Sequence, residues 1–86
     1  MTETASNLVT QGRAALSEGT RAANERAVAL FERAIALEPH FATAYVGLAT
    51  AYLQRAEEPR PHGRWLERAI AAGENAIELD PLPADG

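Results

Sequence analysis

The sequence predicts an all-α fold of two stacked antiparallel helix hairpins, on three observations. A sixteen-residue pattern recurs 42 residues downstream, apolar residues fall at spacings of three and four, and the chain is rich in alanine. Alanine has the highest intrinsic helix propensity, so nineteen alanines beside only five aromatics favour helices that approach closely through small side chains. Eighty-six residues make one domain with a modest core, because a short chain buries a smaller share of its surface than a long one.

The repeat is the strongest of the three. Asn24 to Pro39 reads NERAVALFERAIALEP and Leu66 to Pro81 reads LERAIAAGENAIELDP; without gaps, nine of the sixteen positions are identical. Each segment carries alanine followed by a β-branched aliphatic twice, at Ala27-Val28 and Ala34-Ile35 and again at Ala69-Ile70 and Ala76-Ile77. A spacing of seven is two helical turns, which keeps those residues on one face. Each segment ends on an acidic residue and proline, and proline stops a helix because it lacks the N–H and clashes with the preceding turn.

A further helix precedes each of these segments. Phe41, Ala44, Tyr45, Leu48, Ala51 and Tyr52 form a wide apolar stripe at helical spacing. The corresponding stripe near the N-terminus, Leu8, Gly12, Ala15 and Gly19, is built from smaller residues. Four helices are therefore predicted, over about 5–18, 22–37, 41–56 and 64–79. Between the third and fourth, Glu57 to Gly63 (EEPRPHG) holds two prolines and a glycine and reads as an extended loop.

With these residues in place the chain resembles the tetratricopeptide-repeat (TPR) family. Its pattern, W-x2-L-G-x2-Y followed by A-x3-F and a closing proline, is matched in the first unit by Leu8, Gln11, Gly12 and Ala15, then Ala27, Phe31 and Pro39. In the second unit Tyr45, Leu48, Ala49 and Tyr52 precede Ala69, Gly73 and Pro81. A small residue, Gly12 or Ala49, would let the two helices of a hairpin approach. Three departures stand out: Gly73 replaces the aromatic, Gln11 replaces the leucine, and the interval of 42 exceeds the usual period of about 34, the surplus falling in the 57–63 loop.

The resemblance implies one domain spanning 1–86, with repeat one over about 5–39 and repeat two over about 41–81, stacked as a short right-handed superhelix. It also implies a concave groove lined by the first helix of each repeat, which receives a peptide or helix of a partner protein. The positions that match are Val9, Arg13 and Leu16 on the first helix and Val46, Thr50, Leu53 and Gln54 on the third, joined by Ser6, Ser17 and Thr43. Val9, Leu16, Val46 and Leu53 would form an aliphatic stripe turned away from the hairpin cores, which either is exposed, the kind of surface that marks an interaction site, or packs against itself or against a third repeat. A clamp for acidic C-terminal tails is not expected, since Arg13 alone among these positions is of the required type.

Composition narrows the remaining function classes. The net charge is −4, and the eight basic residues, all arginine, are scattered among glutamates, so a concentrated phosphate-binding surface is not expected. Lysine is absent while arginine and alanine abound, which suggests a GC-rich bacterial genome. Cysteine is absent as well, and the polar stretch Met1 to Asn7 does not read as a signal peptide. No apolar run approaches the about 18 residues of a membrane span, so a cytoplasmic protein is expected.

His40 follows Pro39 and suits a turn or cap. His62, near Glu57 and Glu58, lacks metal-site spacing, and Ser6 and Ser17 lack a partner histidine. Trp65 is expected to anchor the fourth helix. No catalytic residue, metal or cofactor is therefore predicted, and the expected role is protein–protein interaction. The competing reading is a structural or self-association module, or a fragment of a longer bacterial signalling or regulatory protein, with a possible homo-oligomer through Leu66, Ile70 and Ile77 of the fourth helix.

Overall fold

A computed structural model describes residues 3–58 and 64–79 of the chain. Four helices follow one another, α1 (Ala5–Leu16), α2 (Arg21–Leu37), α3 (Ala42–Ala56) and α4 (Trp65–Leu79), with no strand among the described residues. Their bounds lie within two residues of those read from the sequence. Residues 59–63 of the predicted extended loop, His62 among them, and Pro81 lie outside the described residues.

Local chemistry sets the ends. Thr4 and Thr20, both extended, accept hydrogen bonds from Asn7 N at 3.1 Å and Ala23 N at 3.0 Å, satisfying amides that the first turn of a helix leaves unpaired. The first helix stops at Leu16, two residues short of its predicted end. Gly19, which the apolar spacing placed on the α1 stripe, lies instead in the turn to α2 with φ of 75°, a left-handed conformation that glycine adopts without a Cβ penalty. Helix α2 ends at Leu37, ahead of Glu38 and Pro39. His40 lies in the exposed turn that follows, and the cap of α3 is Phe41, without a side-chain hydrogen bond.

Helix α1 packs on α2 and α3 on α4, while α3 also packs against α2 and along a narrower seam against α1. The four-residue connections at 17–20 and 38–41 make sequential helices antiparallel neighbours. The product is a flat body, 39 × 36 × 20 Å, whose broad faces leave much helix surface uncovered.

One ring organises the core. Phe31, fully buried on α2, sits between α1 and α3 against two glycines. A Cβ on Gly12 would stand 2.6 Å from its Cε1, and a Cβ on Gly47 would collide with the same ring edge. The glycine that admits the ring on α3 is therefore Gly47, whereas the sequence pattern pointed to Ala49, which is only half-buried. Around Phe31 lie Leu8, Ala15, Ala23, Ala27, Ala34, Ala44 and Ala51, small residues that let three helix backbones converge on one aromatic.

Candidate functional site

The seam between α1 and α3 is open along one side and forms a depression of about 420 Å³ lined by Arg13, Leu16, Ser17, Val46, Gly47, Thr50 and Gln54. Five of the seven predicted groove positions therefore come together: Arg13, Leu16, Val46, Thr50 and Gln54. Val9 and Leu53 do not join the lining.

The predicted aliphatic stripe is exposed on only one of its two helices. Val46 and Leu53 on α3 are 49% and 46% exposed, but Val9 and Leu16 on α1 are 4% and 8% exposed and belong to the core cluster. The physical reason is the stacking order. Helix α3 lies against α1 and covers its outward apolar positions, and among the described residues no helix follows to do the same for α3. Val9 is thus a packing residue, and Leu16 is a core residue that also lines the depression.

Three polar side chains of the lining already make hydrogen bonds within the chain. Thr50 donates through Oγ1 to the carbonyl of Val46 at 3.0 Å, and Ser17 donates through Oγ to that of Ala14 at 2.7 Å. Gln54 is half-buried and accepts from Asn24 Nδ2 at 3.2 Å. Among the described residues Asn24 is the one buried polar side chain; the same amide donates to the Ala51 carbonyl at 3.0 Å, tying α2 to the back of α3. Arg13, exposed in the last turn of α1, adds positive charge at the rim. The depression thus offers an apolar floor of Leu16 and Val46, the glycine backbone of Gly47 and a cation at one edge. Among the described residues its lining holds no carboxylate or imidazole.

A second cluster, which sequence reasoning missed, lies on the far side of α3. Arg55 and Arg68 stand over the Trp65 ring, 4.4 and 5.0 Å from its centroid, and Tyr52 meets the same indole at 6.0 Å. Arg55 lies 3.3 Å from Glu58 and 3.8 Å from Glu25 of α2, and Glu58 also receives Arg21 at 2.5 Å. Burial, reinforced by the nearby Glu32 carboxylate, pushes the Tyr52 phenol above its ordinary pKa, with Arg68 opposing. These contacts tie the start of α4 to α3, and Arg55 in turn reaches Glu25 of α2, so Trp65 anchors its helix at a half-buried site beside two guanidinium groups.

Among the described residues no cluster of three or more histidine or acidic side chains is arranged to hold a metal ion, and no helix is long and apolar enough to cross a membrane. No protein-family model matches this chain, and no characterised protein or solved structure matches it either.

Proposed function

We propose that the chain is a two-repeat, TPR-like protein-interaction module whose α1/α3 groove receives a peptide or helix of a partner protein. The observation that carries this reading is the convergence of Arg13, Leu16, Val46, Thr50 and Gln54 on one open depression. An apolar floor beside glycine backbone suits an aliphatic or aromatic side chain, and a rim arginine suits a carboxylate near it. Because Thr50, Ser17 and Gln54 already have hydrogen-bond partners, affinity rests on apolar anchoring and Arg13 contributes steering.

Selection from a random peptide-display library, followed by titration of the recovered peptides, tests the reading. Val46→Asp is expected to weaken binding by about tenfold or more, the scale of losing one buried anchor. Arg13→Ala is expected to cost less, with a loss that shrinks as salt is raised, because a rim charge is screened by ions. Peptides that bind the Val46→Asp and wild-type chains equally would contradict the assignment.

A further inference from the structure

The large apolar side chains exposed among the described residues are Leu37, Val46, Leu53, Leu66, Ile70 and Ile77. All but Leu37 share one property: moved back by one repeat, they fall on positions that are buried or packed against the core. Val46 and Leu53 correspond, 37 residues earlier, to Val9 and Leu16, which are buried. Leu66, Ile70 and Ile77 correspond, 42 residues earlier, to buried Asn24 and to Val28 and Ile35, which pack on the core. We infer that the outer face of α3 and α4 seats one further helix, supplied in trans by a partner protein, with a bulky apolar residue facing Gly73 and a basic residue facing Glu67. This surface meets the α1/α3 groove at Val46 but extends over α4, through Leu66, Ile70, Gly73 and Ile77, which the groove does not use, and so goes beyond that assignment.

Shape gives the first requirement. Gly73 occupies the repeat position of Phe31, and a Cβ there would meet nothing within 4 Å. On α2 the ring is the knob and Gly47 of the covering helix is the hole. On α4 the hole belongs to the module itself, so the covering helix must bring the knob.

Charge gives the second. The flank of the α2 face carries Glu25 and Glu32, and the covering helix α3 brings Arg55 to 3.8 Å from Glu25. The flank of the α4 face carries the same pair, Glu67 and Glu74. Glu67 reaches Arg64, the residue just ahead of α4, at 3.9 Å, an exposed pairing worth little and readily exchanged. A second copy of this chain fits less well. Its own uncovered face bears the same Glu67 and Glu74, and two such faces would set like charges against each other across the seam, which is destabilising.

The helix that already fits the equivalent place supplies the probe: a fluorescent peptide of residues 41–56, with and without Gly47→Phe, titrated by anisotropy against the full chain. The Gly47→Phe peptide is expected to bind about tenfold tighter or better than the unaltered one, and Gly73→Phe in the chain is expected to reverse that preference. Glu67→Arg in the chain should weaken binding, with recovery when the peptide carries Arg55→Glu. Circular dichroism checks that Gly73→Phe remains helical, and the Glu67 charge exchange decides the matter if it does not. Absence of binding up to millimolar peptide, or indifference to both exchanges, overturns the inference. So does a dimer in sedimentation equilibrium that Ile70→Glu dissociates, which would make a second copy the occupant.

Discussion

Phe31→Ala is expected to remove most of the stability of this protein. The ring is fully buried and touches glycine backbone on both α1 and α3. Deleting it loses the transfer free energy of an aromatic side chain and leaves a cavity, at a cost of about 3–5 kcal/mol. A domain of this size lies toward the lower end of the usual about 5–15 kcal/mol of total stability. Urea denaturation followed by circular dichroism should therefore show the midpoint falling by more than half, or no cooperative transition at all. A loss below about 1 kcal/mol would mean that Phe31 is not the keystone between the three helices.

Val9→Asp is expected to have an effect of similar size by a different route. Val9 is 4% exposed, so the substitution forfeits about 1.5–3 kcal/mol of apolar burial and places an unpaired carboxyl in the core, costing about 1–3 kcal/mol more. The chain should be largely unfolded near room temperature at neutral pH and should regain helicity on mild acidification. The sign follows from linkage: burial raises the carboxyl pKa in the folded state above its unfolded value, so the folded state gains relative stability as pH falls and the group takes up a proton. Native-like melting at neutral pH would show that Val9 faces the groove after all.

The all-helical architecture and its boundaries were legible because two independent signals agreed. The alanine and β-branched pairs of α2 and α4 recur at helical spacing, and an acidic residue followed by proline marks where each repeated segment ends. The end of α1 was misplaced because Gly19 falls in phase with Leu8, Gly12 and Ala15, and periodicity does not register that a glycine is more useful in a left-handed turn than on a helix face. Gly47 was passed over for Ala49 because a family pattern fixes a residue type at a position, whereas the approach of Phe31 is set by the rotation of α3 about its axis.

The groove was half legible for a related reason. Val9 and Val46 occupy the same place in their helices, as do Leu16 and Leu53, and nothing within one helix distinguishes them. What separates them is the neighbour: α3 covers α1. Burial at an end of a stacked array depends on the number of layers, which a local pattern does not encode. Likewise, the stacking of Arg55 and Arg68 on Trp65 joins residues from either side of the 57–63 segment, and no spacing rule reaches across it.

The account turns on the claim that equivalent positions are core in α1 and open surface in α3, and thermal unfolding of the Val46→Asp, Leu53→Asp double variant tests it most directly. Both side chains are about half exposed, and each replacement mainly exchanges helix propensity, at about 0.5 kcal/mol apiece. The double variant should keep the wild-type far-ultraviolet spectrum and melt within about 8 °C of it, in contrast to Val9→Asp. A collapse of the melting transition comparable to that of Val9→Asp would place Val46 and Leu53 in the core and remove both the groove and the outer face as binding surfaces.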